Sequence, residues 1–234
     1  MPRLAVLCAC VVWWCSGAHA GVSLEVCFNY GCASSVAVTL DDERVAGVAT
    51  ALSEAPDAVT ERAAIGRAVG ALHRLVGEQT PIAADRAGNF FDDGVDGRMD
   101  CIDHSTTTTR FLELLAARGW LRFHRVLPPE RRTFLILQHF AAAIEELDVP
   151  PVLLPPPEQE PGEMPDYAAT LLAACDCGEV LTDMRLPAIP VQSVPPPGTP
   201  GARFVVDSWF VDHGEPAVVL PLAEWLNGEG PNVQ

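Results

Sequence analysis

The sequence predicts an α+β fold. Two segments, 59–77 and 100–119, repeat their apolar residues at the 3.6-residue spacing of amphipathic helices. Two others, 132–144 and 203–211, are apolar runs rich in aromatic and aliphatic residues, which is typical of buried strands. With 234 residues, of which 49% are hydrophobic, the chain is long enough for one domain with a sizeable core.

The charge balance excludes one class of partner. The chain has 31 acidic residues against 15 basic ones, a formal net charge of −16, and every basic residue is arginine. Nucleic-acid backbones are polyanionic and are bound through clusters of basic side chains. We therefore expect no nucleic-acid partner.

The first twenty residues have the three parts of a secretion signal. Arg3 is the positive start, residues 4–15 are uncharged and apolar, and Ala18-His19-Ala20 offers small residues for cleavage before Gly21. The apolar stretch is shorter than the ~20 residues that span a bilayer, and no other segment is suited to do so. We expect a signal peptide at 1–20, a single domain at 21–234 with no stable membrane span, and a periplasmic or secreted location.

The first half of the mature chain is predicted to begin with a strand. Val36 to Leu40 is the early strand, followed by polar residues up to Pro56. The helix at 59–77 has Asp57 available as its cap. Residues 80–99 are rich in Pro, Gly, Asn and Asp, which indicates a loop.

The second half contains the remaining elements. A helix should begin near Asp100 and end at Gly119, because glycine readily adopts the left-handed backbone conformation that ends many helices. The run 132–144 is interpreted as a buried strand, favoured through His139. More than half of the 21 prolines fall in an insertion at about 148–202, after which 203–211 returns to strand and 217–220 forms another.

An odd number of cysteines in the mature chain leaves one thiol without a disulfide partner. Three of the eight cysteines lie in the signal, which leaves five in a compartment where thiols tend to oxidise. The disulfide candidates are Cys27, Cys32, Cys175 and Cys177, paired locally or between the two clusters. Cys101 is left over, in the first turn of the helix that Asp100 would cap. A helix N-terminus favours the nucleophilic thiolate, although adjacent carboxylates oppose it.

A reactive thiol needs a base and an orienting group. His104, one helical turn from Cys101, and His139, on the following strand, both qualify as the base. Asp207 lies in an apolar strand, where a carboxylate is unfavourable unless it is paired. Orienting an imidazole would supply that partner.

The order of these residues along the chain, a Cys on a helix followed by a His and an Asp on strands, resembles that of transglutaminase-like cysteine peptidases. The local sequence Asp100-Cys101-Ile102-Asp103 is similar to that around the Cys in the bacterial branch of this family, which is typified by periplasmic proteases that release surface adhesins. The resemblance covers mainly 97–145 and 203–212. It implies a papain/transglutaminase-like fold, with the helix of Cys101 packed on an antiparallel sheet that carries His139 and Asp207. It also implies Cys101 as nucleophile, His139 as general base and acid, and Asp207 as the residue that orients the imidazole.

Two features depart from that family. In the adhesin-releasing branch an acidic residue that helps to bind calcium usually follows the Cys, whereas this chain has Ile102. The Pro-rich insertion separates His139 from Asp207, so it must lie between paired strands if the family's sheet is kept.

Two metal sites are alternative interpretations. A twelve-residue calcium loop is partly matched, with Gly94 at position three and Asp at position twelve as departures. Its candidate ligands are Asp92, Asp96, Asp100 and Asp103. A solvated acidic turn is the other interpretation of the same residues. A zinc site built from Cys101, His104, His139 and an aspartate has suitable ligand types but weak spacing.

The sequence thus predicts an exported cysteine hydrolase that cleaves a peptide or related amide bond in a protein or peptide substrate. The predicted triad is Cys101, His139 and Asp207; no cofactor is required, and calcium is a possible one. The alternatives are a catalytically inactive transglutaminase-like envelope protein and a calcium-dependent binding module.

Overall fold

The computed structural model describes residues 21–88, 90–149 and 198–231. The expected signal peptide, Cys175, Cys177 and most of the Pro-rich insertion lie outside these residues. Among the helices that the structure describes, none has the length and apolar character needed to cross a membrane.

The first half combines a hairpin with three helices. Strands β1 (Gly21–Phe28) and β2 (Ser34–Asp41) pair antiparallel. Helices α1 (Asp42–Ser53) and α2 (Ala58–Gly77) follow, and a short 3₁₀ helix spans Pro81–Ala84. Helix α3 (Cys101–Ala117) begins after the loop. The predictions of β2, of α2 with its Asp57 cap, and of α3 are confirmed.

Helix α1 occupies the segment between the early strand and Pro56, for which the sequence predicted polar residues and no helix. The Asp41 side chain caps it by accepting hydrogen bonds from the N–H groups of Glu43 and Arg44, at 3.0 and 3.1 Å. Its buried residues are Val45, Ala49 and Leu52. About one residue per turn is buried, while Ala46, Val48 and Ala51 are apolar but not buried, so the sequence does not mark one face clearly.

The second half forms a four-stranded antiparallel sheet in the order β3-β4-β5-β6. Its strands are β3 (His124–Phe134), β4 (Leu137–Glu146), β5 (Arg203–Asp207) and β6 (Val218–Pro221), and helix α4 (Leu222–Leu226) follows. β3 contains Pro128 and Pro129, which are tolerated because β3 is an edge strand and its register shifts there. The predicted strand at 217–220 is confirmed as β6.

The prediction of one strand over 132–144 is wrong in part, because the segment contains the turn of the β3–β4 hairpin: residues 132–134 end β3 and residues 137–144 belong to β4. The chain reverses at Leu135, whose φ is 55°, and Ile136. The four residues Phe134 to Leu137, which we call the hairpin tip, are exposed. The predicted strand at 203–211 is also shorter than expected, since β5 ends at Asp207.

The core lies between α2, α3 and the two sheets. α3 buries Phe111, Leu112 and Leu115 against β4 and β1, and α2 contributes Ile65 and Leu72 to the same core. Gly119 ends the α3 segment with a φ of 71°, in the left-handed region that the sequence predicted for it. The core therefore holds the start of α3 against the sheet, which positions the residues described next.

β4 and β5 are neighbours in the sheet, with Ala142 opposite Val206. The Pro-rich insertion thus joins two paired strands. Its flanks meet at Glu146, whose side chain accepts hydrogen bonds from Thr199 N–H and from Arg62, and whose backbone pairs with Gly201 and Ala202. His139 lies near the opposite end of β4, roughly 20 Å away at ~3.3 Å per residue.

Candidate active site

Cys101 is the first residue of α3, and the local sequence dictates its position. The Asp100 side chain accepts hydrogen bonds from the N–H groups of Ile102 and Asp103, at 3.0 and 2.9 Å. Asp103 in turn accepts the Asp100 N–H at 3.1 Å, which completes a capping box. The predicted cap is confirmed, and it fixes where the helix starts and hence where the thiol lies.

His139 and Asp207 are joined by a hydrogen bond between Nε2 and Oδ2 of 2.7 Å. The strand pairing of β4 with β5 explains this contact, because His139 precedes the paired part of β4 and Asp207 ends β5. The bond engages one ring nitrogen of His139 and leaves Nδ1 as the nitrogen for proton transfer.

The Asp207 carboxylate is almost fully buried and is held by three donors. Besides His139, Trp225 Nε1 donates to Oδ2 at 3.0 Å and the Trp209 N–H donates to Oδ1 at 3.2 Å. A buried carboxylate with several hydrogen bonds is fixed in orientation and remains a strong acceptor. Asp207 therefore sets the direction in which the His139 ring points.

Aromatic rings surround His139 on the side of the sheet that carries α4. The ring centroids of Trp209, Phe210 and Trp225 lie 4.8, 5.5 and 5.6 Å from that of His139. The His139 and Asp207 side chains are accordingly only 13 and 1% exposed. Sequence reasoning did not assign Trp209 or Trp225 to the site, and no local pattern connects Trp225 with Asp207, since they come from separate elements.

Cys101 and His139 line one cavity of about 370 Å³. Its volume falls within the range of ~300–1,000 Å³ that is usual for small-ligand sites. The other lining residues are Tyr30, Phe90, Asp100, Arg132, Phe134, Leu137, Gln138 and Trp209. The structure thus brings the three predicted site residues together, with the thiol and the imidazole facing the same space.

The Cys101 thiol is half-buried and is protonated at neutral pH in this conformation. Burial raises its pKa to about 11, and the negative charges of Asp100 and Asp207 act in the same direction. A backbone hydrogen bond with Phe140 opposes them. The thiol donates to the carbonyl oxygen of Gln138 over 3.8 Å. Any nucleophilic role therefore requires a base that removes the proton as the thiol reacts.

A disulfide joins Cys27 and Cys32, one of the pairings left open by the sequence. The loop that it closes carries Asn29 to Cys32, all with φ between 57° and 67°. Its N–H groups converge on the cap of α3: Tyr30 and Cys32 donate to Asp103 at 2.8 and 2.5 Å. Gly31 donates to Asp100 at 3.0 Å. The disulfide loop is therefore packed directly against the start of the helix that carries Cys101.

Asp103 lies beneath this loop and is buried. Burial and the neighbouring charge of Asp100 raise its pKa to about 6, while the backbone N–H groups of Cys32, Asp100 and Tyr30 act in the opposite direction. The N–H groups of the disulfide loop thus partly offset the effect of burial on this carboxyl group.

His104, the other candidate base, faces away from the cavity. Its Nε2 lies 2.9 Å from Asp85 Oδ2, and its Nδ1 lies 2.9 Å from Ser208 Oγ. Ser208 Oγ is also 2.9 Å from Thr108 Oγ1, and the Asp85 carboxylate accepts the Met99 N–H at 2.9 Å. Both ring nitrogens of His104 are therefore occupied within a buried polar network, which leaves His139 as the histidine next to Cys101.

The four aspartates of the predicted calcium loop are hydrogen-bonded to protein donors. Asp100 and Asp103 form the helix cap described above. Asp92 accepts from Tyr30 Oη at 2.5 Å and pairs with Arg98 Nε at 2.9 Å. Asp96 accepts from Asn29 Nδ2 at 3.0 Å. Calcium binding would have to compete with these bonds, and it stays a prediction.

Within the described ranges, one group of three His, Cys, Asp or Glu side chains brings its ligand atoms together, namely Cys27, Cys32 and Asp103. Both sulfurs of that group are joined in the disulfide, so neither is a thiolate ligand. The zinc ligands considered from the sequence do not form such a group, because His104 is turned toward Asp85 while Cys101 and His139 face the cavity.

Comparisons of the chain with protein-family models, with curated proteins and with solved structures find no match. The functional argument therefore rests on the geometry of Cys101, His139 and Asp207.

Proposed function

We propose that this protein is an exported cysteine hydrolase that cleaves a peptide or related amide bond. Cys101 acts as the nucleophile, His139 as general base and then general acid, and Asp207 as the residue that orients and stabilises the imidazole. The substrate is a protein or peptide, and the chemistry requires no cofactor.

A single observation carries this proposal. The 2.7 Å bond between His139 Nε2 and Asp207 Oδ2 forms beside a cavity that also contains the Cys101 thiol. Nucleophile, base and orienting carboxylate are thus supplied by α3, β4 and β5, in the order in which these elements follow in the chain. A purely structural role for Cys101 would not call for an oriented imidazole facing the same cavity.

The reaction begins when His139 Nδ1 takes the thiol proton as sulfur attacks the carbonyl carbon of the scissile bond. The tetrahedral intermediate collapses, the C–N bond breaks, and the imidazolium gives its proton to the leaving amine. A thioester remains on Cys101. Water then attacks the thioester and gives a proton to His139; the C–S bond breaks, the product acid leaves, and the sulfur regains its proton.

The α+β architecture is compatible with the papain/transglutaminase-like fold that the sequence resembles. α3 begins with Cys101 and packs on an antiparallel sheet in which the His139 and Asp207 strands are neighbours. We infer a periplasmic or secreted location from the signal-like residues 1–20, and the Cys27–Cys32 disulfide is in keeping with an oxidising compartment.

One observation favours a second candidate, a catalytically inactive binding protein of the same fold. A thiol with its pKa raised to about 11 is a weak nucleophile unless a base assists it. In such a protein Asp207 and His139 would serve packing alone, and calcium at the acidic loop could support binding. The two candidates differ in whether His139 accelerates reactions of Cys101.

Alkylation of the non-reduced protein with iodoacetamide, followed by mass spectrometry, distinguishes them. We expect the adduct on Cys101, formed at least tenfold faster in the wild-type protein than in His139→Ala at pH 7.5. His213→Ala, which removes a histidine outside the cavity, is the matched control and should alkylate at the wild-type rate.

Equal rates in wild type and His139→Ala would contradict the hydrolase and favour the inactive protein. A disulfide between Cys101 and Cys175 or Cys177 would do the same. Repeating the series with EDTA and with added calcium tests the metal prediction, because a bound ion at the helix cap should change the rate at Cys101.

A further inference from the structure

Two segments that reach the cavity carry six exposed apolar side chains, three of which line the cavity itself. The hairpin tip supplies four consecutive ones, Phe134, Leu135, Ile136 and Leu137, with exposed fractions of 74, 85, 92 and 63%. The loop before α3 supplies Phe90 and Phe91, which are 60 and 97% exposed. Large exposed apolar patches are rare on soluble proteins and mark sites of interaction.

The apolar surface continues into the cavity. Phe134, Leu137 and Phe90 all line the space that contains Cys101 and His139. Phe90 packs edge-on against Trp209, with ring centroids 4.8 Å apart, and Trp209 in turn packs against His139. A side chain bound between the hairpin tip and Phe90 would therefore lie next to the reacting groups.

The charged residues of the cavity wall are occupied by the protein itself. Arg132 Nη1 donates to the carbonyl oxygens of Trp225 and Glu229, at 2.7 and 3.0 Å, and its guanidinium stacks 4.8 Å above the Trp225 ring. The Asp100 carboxylate accepts three backbone N–H groups at the start of α3. The Asp100 carboxylate is thus committed to the helix cap and the Arg132 guanidinium is held on the Trp225 ring, while most of the remaining wall is apolar or aromatic.

We propose that the substrate of this site is a polypeptide segment with a bulky apolar side chain beside the scissile bond, held by Phe134, Leu137 and Phe90. This inference rests on the proposed hydrolase function and names its substrate class. A lipid surface is a less suitable occupant, because the chain carries a formal net charge of −16 and would be repelled by anionic membranes. An apolar side chain of the substrate that covers both the hairpin tip and the loop would bury apolar surface, and this burial would provide affinity without a charged partner.

Peptidyl chloromethyl ketones provide the probe. Cys101 sulfur forms a bond to the methylene carbon, the C–Cl bond breaks, chloride leaves, and His139 accepts the thiol proton. Acetyl-Ala-Phe-chloromethyl ketone is compared with the Asp and Arg analogues, and each rate at Cys101 is divided by the iodoacetamide rate of the same protein. We expect this ratio to be at least tenfold higher for the Phe probe than for the other two.

The double variant Phe134→Ser/Leu137→Ser should lower the Phe ratio at least tenfold. Both positions are exposed, so the substitutions do not remove core contacts. Val59→Ser, which replaces an exposed apolar residue of α2 outside the cavity, is the matched control and should keep the ratio.

The outcomes separate this inference from the proposed function. If iodoacetamide labels Cys101 without dependence on His139, the hydrolase itself is wrong. If labelling depends on His139 but the three ketones react at equal relative rates, or the double variant keeps the Phe preference, the hydrolase stands and the apolar substrate class is overturned. Two further results would also overturn it if the Phe probe shows no preference. One is that the protein floats with phosphatidylcholine vesicles and the double variant does not. The other is that the protein dimerises in analytical ultracentrifugation and the double variant does not.

Discussion

Ser208 Oγ lies 2.9 Å from Nδ1 of His104, a contact that ties the residue after Asp207 to the helix that begins with Cys101. His104 is bonded on its other side to Asp85, whose carboxylate also holds the Met99 N–H just before that helix. A single buried network therefore joins the end of β5 to the start of α3. Its residues do not line the cavity, and they fix the elements that carry the nucleophile and the orienting carboxylate relative to one another.

Removing Asp85 should destabilise the protein strongly. Asp85→Ala leaves His104 Nε2 and the Met99 N–H without their shared acceptor, and each buried polar group left without a partner costs about 1–3 kcal/mol. Urea unfolding followed by tryptophan fluorescence measures the loss. Asp42→Ala removes an exposed partner of Arg118 and should cost less than ~1 kcal/mol. Equal losses of unfolding free energy in the two variants would show that the buried network stabilises the protein no more than an exposed ion pair does.

Asp207→Asn should slow the reaction of Cys101 while preserving the fold. The amide keeps a single acceptor oxygen, so it can accept from Trp225 or from Trp209 but not from both, and it does not stabilise the imidazolium that forms when His139 takes the thiol proton. We expect alkylation by iodoacetamide at pH 7.5 to fall at least tenfold, with an unchanged far-ultraviolet circular dichroism spectrum. Asp148→Asn, at an exposed position, is the control. A variant that reacts at the wild-type rate would remove Asp207 from the proposed triad.

Without its base, Cys101 should titrate as a buried thiol. Its pKa is raised to about 11, so the thiolate fraction in His139→Ala should grow about tenfold for each pH unit from pH 7 to pH 10. The rate of alkylation, measured by mass spectrometry at each pH, should follow this slope without a plateau. A plateau near the ordinary thiol pKa of ~8.5 would mean that burial does not control the group.

The disulfide loop should stabilise the start of α3. Cys27→Ser/Cys32→Ser removes the crosslink that holds a loop whose N–H groups bond Asp100 and Asp103. For so short a loop the chain-entropy model gives a loss of about 2 kcal/mol in the free energy of unfolding. Hydrogen exchange should also increase for the amides of Ile102 and Asp103. Exchange that is unchanged there would show that the cap holds without the loop.

Local patterns predicted the start of α3 well, because the capping residues Asp100 and Asp103 act within one turn of chain and leave a signature in the sequence. The contact of His139 with Asp207 has no local signature. It was anticipated from the chain order of Cys, His and Asp and the need of a buried carboxylate for a partner.

The hairpin tip was misinterpreted for a physical reason. Four consecutive apolar residues at 134–137 are typical of a buried strand. They are exposed because the chain reverses direction within them, and the position of that reversal is set by the tertiary fold. Trp225 was missed because its bond to Asp207 arises only when α4 folds over β5. The residues that sequence reasoning did not find are thus those whose contacts come from distant elements.

The flanks of the Pro-rich insertion are fastened to each other at Glu146, which bonds Thr199 and Gly201 on one flank and Arg62 of α2. That junction lies at the opposite end of the β4–β5 pair from His139 and Asp207. The distance between imidazole and carboxylate is therefore set by strand register and does not depend on the number of residues between the two strands. Residues could be added or removed there with a loop-closure penalty that grows only logarithmically, so this position is a natural place for evolution, or an engineer, to graft new sequence onto the domain.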